Sequence, residues 1–190
     1  METYSHAFFT WALAKHGIKA GRAAGLAGAV GATFPDLPSF AGTAYYVGAA
    51  YLREGWSSMH SEKLLDMIYF TGPFGGTGSV LHSAVTVVAL LVLYRVLKLG
   101  RRDRRRILLW FLLGWLGHTI VDFLTHVDDT RPLLWPISDW EWSSPVSYYN
   151  PLYYGREFFA VSHGLMLLTV SWLLLKRVMS RGETVKVPPR

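Results

Sequence analysis

Three long apolar runs constrain the fold of this chain more than any other feature of its sequence. They are Val80–Leu97, Ile107–Thr125 and Phe158–Leu175. Each holds about 18 or 19 residues, and a helix of that length crosses the hydrocarbon layer of a bilayer, which is about 30 Å thick. Three such runs are more than the core of a soluble domain of 190 residues needs. The sequence therefore predicts three firm transmembrane helices.

Shorter apolar segments precede these spans and predict an N-terminal helical hairpin. Its two helices are Tyr4–Lys15 and Ala23–Phe34, joined by a basic turn. The second helix is built of small residues that permit close helix packing, and Pro35 is expected to end it. Ala41–Leu52 predicts a further short or re-entrant helix. The segment Phe70–Ser79 is rich in Gly and Pro, which is typical of a loop.

The chain as a whole is predicted to form one membrane domain, residues 1–190, with the fold of an all-α, polytopic integral membrane bundle. Its residues are 51% hydrophobic although 17% are charged, because the charges are clustered between apolar runs. Cysteine is absent, so any metal must be bound by His and carboxylate side chains. No basic segment precedes the first apolar stretch, so no cleavable signal peptide is expected.

Basic residues predict how the bundle is oriented. The Arg-rich loop at residues 101–106 and the tail at residues 176–190 flank apolar runs, and the positive-inside rule places both in the cytoplasm. Most of the net charge of +6 lies in these two clusters. Membrane lipids explain such clusters better than nucleic acid does, so no nucleic-acid partner is expected. The predicted location is the plasma (inner) membrane, as a multi-pass protein.

With this orientation, five ionisable residues from separate parts of the chain converge near the outer face. They are His6, Asp36, His82, Asp122 and His126, with His118 up to two turns deeper. His118 and Asp122 are four residues apart and share one helix face, so an imidazole and a carboxylate can bind the same ion. Ionisable groups inside an apolar span are costly and are candidates for a functional site.

Each of these residues also has a structural interpretation. His118 and Asp122 can form a hydrogen bond that packs helices together, and Asp36 can be a turn acid after a proline. His82 can be an interfacial residue at the start of a helix. The convergence favours a metal site instead. The predicted ligands of a divalent metal are Asp36, His82, His118, Asp122 and His6.

The segment Asp128–Gly155, within the loop from His126 to Glu157, is predicted to be an ordered cap at the membrane interface, because it is rich in Pro and paired aromatic residues. Asp128 and Asp129 either add carboxylates at the mouth of the site or are solvated loop acids. His126 or Asp128 is the predicted general base. Less weight falls on the remaining ionisable candidates, which are His60, Glu62, Glu157 and His163.

Several short motifs resemble those of a known family. PDLP at Asp36, HS at His82 and G-H-x-x-x-D-x-x-x-H over Gly117–His126 resemble the bacterial inner-membrane metal-dependent hydrolase family, whose members include a LexA-regulated protein. The loop that begins with H-x-D-D at His126 is similar to that of a group of uncharacterised bacterial membrane proteins. The chain has G-T-G-S-V-L-H-S where the hydrolase family commonly has His-Arg-Gly before T-H-S, and it lacks the second acid of PDxD.

The resemblance implies a membrane-bound metal-dependent hydrolase. The H-x-x-x-D pattern is also similar to the zinc sites of all-helical phospholipases C and nucleases, which implies a phosphoester substrate. A site near the level of the lipid headgroups would suit lipid or lipid-linked substrates. A bound Zn²⁺ with an open position lowers the pKa of its water toward ~7. Two other classes stay open: a non-enzymatic assembly or partner-binding protein with a structural His/Asp cluster, and a transporter whose His and Asp residues relay protons.

Overall fold

The computed structural model describes residues 1–54 and 62–183, and helices dominate this part of the chain. The α-helices are α1 (Thr3–Ala12), α2 (Arg22–Thr33), α3 (Leu37–Gly42), α4 (Gly48–Glu54), α5 (Glu62–Tyr69), α6 (Gly72–His82), α7 (Ala84–Val96), α8 (Ile107–Thr125) and α9 (Gly155–Glu183). No strand occurs in the described residues, which confirms the all-α class. His60 and the end of the predicted tail, residues 184–190, lie outside them.

Two helices in the described part of the chain are long and apolar enough to cross a membrane by themselves. One is α8, which has the predicted bounds, and the other is α9 over Gly155–Ser180, which contains the predicted Phe158–Leu175. The prediction of a continuous span at Val80–Leu97 is wrong. Helices α6 and α7 cover that region and are bent by 57° where they meet, so they form a third span only if the bent pair crosses as one unit.

The bend between α6 and α7 has a local cause at Ser83. This residue has extended backbone angles, and its hydroxyl accepts a hydrogen bond from the Val85 backbone N–H, as an N-cap does. The same hydroxyl donates to the carbonyls of Leu133 and Trp135, and the Ala84 backbone N–H donates to the Leu133 carbonyl at 2.9 Å. Ser83 therefore ends α6 and caps α7, and the loop around residue 133 holds it in this position.

The prediction of a loop at Phe70–Ser79 is also wrong, because α6 begins at Gly72. Pro73 lies in the first helical turn, where its missing N–H costs no hydrogen bond. Gly75 and Gly78 allow close contacts: a Cβ on Gly75 would lie 2.5 Å from the Phe70 carbonyl carbon. A Cβ on Gly78 would lie 2.4 Å from an Arg131 guanidinium nitrogen. These glycines therefore allow other segments to pack closely against α6, and they do not interrupt the helix.

The predicted N-terminal hairpin is confirmed. A π-helical segment, Leu13–Gly17, extends α1 to the turn, and α2 ends at Thr33, before Pro35. The small residues of α2 pack closely against α8, as predicted. A Cβ on Gly31 would lie 1.9 Å from the Phe111 carbonyl oxygen, so the backbones of the two helices are in contact. This contact, together with the hydrogen bond from His118 Nδ1 to the Ala32 carbonyl, positions the end of α2 beside the middle of α8.

The long segment between α8 and α9 is ordered, as predicted for a cap. It contacts the end of α8 through backbone hydrogen bonds: Ser144 donates to the His126 carbonyl at 2.9 Å, and Tyr148 donates to the Thr125 carbonyl at 3.0 Å. Helix α9 packs less against the rest of the protein than α8 does. Only 6% of its membrane-length apolar stretch is buried, against 39% for α8. Its apolar surface therefore suits contact with lipid.

Candidate metal centre

Four predicted ligands meet at one point. Asp36, His82, His118 and Asp122 each offer a ligand atom, and these atoms all lie within 4.8 Å of one another. His118 Nε2 lies 2.9 Å from Asp122 Oδ2 and 3.2 Å from His82 Nε2. Asp36 Oδ1 lies 3.4 Å from His82 Nε2 and 3.5 Å from His118 Nε2. Ligands bonded at about 2.0–2.1 Å in a tetrahedron are about 3.3 Å apart, so these distances suit one small ion.

Three separate parts of the chain supply the four side chains. His118 and Asp122 lie one turn apart on α8, and Asp36 ends the 3₁₀ turn Phe34–Asp36 that follows α2. His82 is the last residue of α6, directly before the bend at Ser83. The close packing of α2 on α8 and the bend between α6 and α7 therefore both determine the geometry of the centre.

Backbone carbonyls hold both histidine rings. His82 Nδ1 donates to the Gly78 carbonyl at 2.8 Å, and His118 Nδ1 donates to the Ala32 carbonyl at 2.8 Å. Because a carbonyl only accepts, the proton of each neutral ring lies on Nδ1 and each Nε2 presents a lone pair. The two Nε2 atoms are 3.2 Å apart, so a cation or an added proton is needed between them. Outer hydrogen bonds of this kind are typical of metal-ligating histidines.

The centre is buried and contains two carboxylates. His118 is 1% exposed and Asp122 is 6% exposed. The side chain of Asp36 is more accessible, and its second oxygen accepts a hydrogen bond from the Thr3 hydroxyl. Burial raises the pKa of Asp36, but its contact with His82 and the charge of a protonated His118 lower it to about 2, so this carboxyl is ionised when a positive charge lies beside it. An ionised buried carboxylate requires positive charge nearby, which a metal ion supplies.

The predicted ligand His6 contacts the same cluster from another side. Its Nε2 lies 2.8 Å from Asp122 Oδ1, whereas the other oxygen, Oδ2, faces His118 and His82. His6 Nε2 also lies 3.1 Å from the Met1 carbonyl oxygen. His6 is therefore adjacent to the four-residue centre without being one of its members.

The two predicted general bases are placed differently. His126 lies beside the centre, with Nε2 at 3.4 Å from Asp122 Oδ1 and Nδ1 at 3.0 Å from Asp129 Oδ2. Asp128 is exposed and accepts a hydrogen bond from the Asn150 amide at 2.8 Å. Its neighbour Asp129, unlike Asp128, lines the cavities beside the centre. The role of either base stays a prediction.

A cavity of about 120 Å³ adjoins the centre, and sequence reasoning missed a basic residue in its wall. Asp36, His82 and Asp122 line this cavity together with Arg131. Arg131 is half-buried, and no carboxylate oxygen in the described residues lies within 4.0 Å of its guanidinium. The signal in the sequence is its position two residues after the acidic pair Asp128 and Asp129.

A comparison with family models bears on the whole chain. The model described as the YdjM inner membrane protein matches residues 1–182. This chain belongs to the YdjM inner membrane protein family. The suspected membership in the LexA-regulated inner-membrane family and the inner-membrane location are thereby confirmed. No curated protein and no solved structure matches the chain.

The YdjM match includes all four residues of the centre and the cap segment after α8. The YdjM description gives a location and names no chemistry. One further predicted candidate has a packing role in this YdjM member: His163 lies 2.7 Å from the Tyr4 hydroxyl and stacks on the ring of Phe159.

Proposed function

We propose that this YdjM-family protein is a membrane-bound metal-dependent hydrolase. The observation that carries the proposal is the meeting of two imidazole lone pairs, from His82 and His118, with carboxylate oxygens of Asp36 and Asp122. A set of two nitrogen and two oxygen ligands at these separations suits Zn²⁺. When bound, such an ion polarises a substrate oxygen and lowers the pKa of a water molecule.

The protein's own groups supply the remaining functions of a hydrolytic site. His126 lies beside Asp122, and its ring is oriented by Asp129, so it can accept a proton from a water molecule in the cavity. Arg131 lines the same cavity and can bind an anion through its planar fork of N–H donors. A half-buried guanidinium without a close carboxylate favours a phosphoester substrate over a neutral ester.

A lipid-linked phosphoester is the substrate class that fits the position of the site. The centre lies in the last two turns of α8, a helix long enough to span the bilayer, so it lies near one membrane surface. Exposed aromatic residues of the cap, including Trp140, Trp142 and Tyr149, are suited to the interfacial layer. A substrate anchored in the membrane reaches such a site by lateral diffusion.

Activity assays on detergent-purified protein test this function. We expect zinc-dependent hydrolysis of bis(p-nitrophenyl) phosphate or of phospholipid in mixed micelles. His118→Ala should lower kcat/KM by at least about 100-fold, because the ion and its bound water are lost. His163→Ala is the matched control, because His163 contacts Tyr4 and Phe159, which are not part of the centre. Full activity of His118→Ala would exclude this assignment.

One observation favours a second function, a structural metal in a non-enzymatic assembly protein. Four protein ligands close a tetrahedral shell, whereas catalytic zinc sites keep one position for water. A structural ion would raise the unfolding temperature of the protein and support no turnover. Loss of folding on chelation, together with no hydrolysis of any phosphoester by the zinc-loaded protein, would support this alternative.

A further inference from the structure

The cavity of about 120 Å³ beside the centre changes in character from its buried end to its exposed end. His82 and Asp122, which are both buried, line its inner end. Three aromatic side chains form another part of its wall, and they are between 39% and 54% exposed: Phe40, Tyr69 and Phe70. Because side chains this exposed lie at the molecular surface, the cavity opens beside them. We call these three residues the aromatic wall.

Arg131 connects the inner end of the cavity to the aromatic wall. It lines the cavity together with the residues of the centre, and its guanidinium carbon lies 6.0 Å from the centroid of the Phe70 ring. Phe70 is held in place by its backbone, whose N–H donates to the Asp66 carbonyl at 2.8 Å. An anionic group bound by Arg131 therefore lies close to an aromatic ring that is itself partly exposed.

Apolar side chains continue from the aromatic wall onto the surfaces of α3 and α5. Leu37 precedes Phe40 by three residues and Leu65 precedes Tyr69 by four, so each pair shares one face of its helix. Both leucines are about half exposed. The two helices pack against each other, and both reach the same cavity. The mouth of the cavity is therefore bordered by apolar surface on this side.

This apolar mouth lies at the level of the centre, near one membrane surface. Helix α3 begins directly after Asp36, and Phe40 is four residues, or about 6 Å, further along the chain. Neither helix can span a bilayer, because α3 has 6 residues and α5 has 8. Helix α5 also exposes Glu62 and Lys63 and buries Leu64, which suits a helix in the interfacial layer. The chains of surrounding lipids can therefore reach the mouth.

We propose that the aromatic wall binds the hydrocarbon chain of a phosphate-bearing lipid whose headgroup lies against Arg131. This inference rests on the proposed function, which assigns an anionic group to Arg131, and it adds the route that the chain takes. The walls formed by the N-terminal residues and the cap carry polar groups, such as Glu2 and Asp129, which do not suit a hydrocarbon chain. The cavity thus selects a molecule with an anionic headgroup and an apolar chain.

Photo-crosslinking tests this route independently of turnover. The probe is a non-hydrolysable phosphonate analogue of phosphatidic acid with a diazirine in its acyl chain, added to the full chain in mixed micelles. Crosslinks mapped to the aromatic wall should be at least about 10-fold more frequent than with a diacylglycerol that has the same labelled chain, because only the first probe pairs with Arg131. Lipid-exposed positions on α9, such as Leu167, should be labelled equally by both probes.

Variants separate the contributions of the headgroup and of the chain. Arg131→Ala should remove the preference for the anionic probe. Phe40→Ala and Tyr69→Ala should each weaken its binding about 3–10-fold, measured from labelling at Phe70, because apolar contact with the chain is lost. Phe159→Ala is the matched control, since Phe159 is about as exposed as Phe40 and does not line the cavity. The two aromatic substitutions lie on different helices, so misfolding of one variant does not remove the test.

The outcomes distinguish this inference from the proposed hydrolase. Equal labelling of the aromatic wall by the anionic and neutral probes, or crosslinks confined to α8 and α9, would overturn the lipid site. Hydrolysis of bis(p-nitrophenyl) phosphate in a protein with that labelling pattern would leave the hydrolase intact. Selective labelling of the aromatic wall, in a zinc-loaded protein that hydrolyses no phosphoester, would support the lipid site and overturn the hydrolase.

Discussion

Arg131 is the residue whose proposed role, the binding of an anionic substrate, is most open to direct measurement. Its guanidinium lies beside Gly75 and Gly78 of α6, with one nitrogen at 3.4 Å from the Gly75 carbonyl oxygen. Burial lowers the pKa of Arg131, whereas Asp36, Asp122 and Asp129 act in the opposite direction. A half-buried guanidinium without a close carboxylate partner among the described residues is costly, and an anionic substrate would offset this cost.

Substitution of Arg131 is expected to affect substrate binding and not metal binding. Arg131→Ala removes charge-assisted hydrogen bonds to a phosphoester, each worth about 1.5–3 kcal/mol, so kcat/KM should fall by about 10–100-fold. Arg131→Lys should recover part of the loss, because it keeps the charge and loses the planar fork. Arg156→Ala, at an exposed position, is the control. An unchanged kcat/KM for the phosphodiester in Arg131→Ala would contradict this role.

Residue identities at the centre could be predicted from the sequence, but their division between two sides of Asp122 could not. The orientation rule and the spacing of His118 and Asp122 already brought the ligands to one level of the bundle. Which carboxylate oxygen faces His6 and which faces His118 depends on side-chain rotamers and on the position of α1. Neither is encoded in a local motif.

At the scale of elements, the contact between α2 and α8 controls the geometry of the centre. Helix α2 supplies the Ala32 carbonyl that holds His118 and leads directly to Asp36. The two backbones approach so closely that a Cβ on Gly114 would lie 2.1 Å from the Gly28 carbonyl oxygen. Small displacements of α2 therefore move two components of the site relative to α8.

Gly31→Ala is expected to damage both folding and metal binding. The added Cβ would lie 1.9 Å from the backbone oxygen of Phe111, which no rotation of a side chain can relieve. Overpacking of this kind costs about 1–3 kcal/mol, and the displaced α2 should weaken metal binding. Thermal unfolding and metal content, both measured in detergent, check this prediction.

Gly117→Ala on α8 is the matched control. A Cβ there would have no atom within 4 Å, apart from its chain neighbours and the backbone of its own helix. It should be neutral, or stabilising by up to about 1 kcal/mol through helix propensity. Equal unfolding temperatures for the two variants would show that the close approach of α2 and α8 does not matter for stability.

Long, uninterrupted apolar helices can be predicted well from the sequence, whereas helices interrupted by glycine, proline or a bend cannot. The bounds of α8 agree with the prediction, because an uninterrupted apolar run has only one interpretation. The bend at Ser83 depends on Leu133 and Trp135, about fifty residues away in sequence, so no local pattern reveals it. The glycines of α6 were misread because glycine marks loops and close helix contacts equally.

For the whole molecule, the arrangement is a candidate metal centre at one end of a small membrane bundle, covered by an ordered cap. The basic loop at residues 101–106 precedes α8, and the centre lies in the last two turns of that helix. The basic loop and the centre are thus at opposite ends of one span. The positive-inside rule then predicts that the centre opens at the outer face of the inner membrane.

The central claim is that Asp36, His82, His118 and Asp122 bind a metal ion, and elemental analysis tests it most directly. Protein purified in detergent, wild type beside Asp122→Asn, would be loaded with Zn²⁺, freed of excess metal and analysed, with Asp128→Asn as the exposed control. We predict at least one Zn²⁺ per chain in the wild type and in Asp128→Asn, and a loss of bound zinc in Asp122→Asn. Metal-free wild-type protein, after loading with Zn²⁺, Mn²⁺ and Fe²⁺ in turn, would contradict the claim.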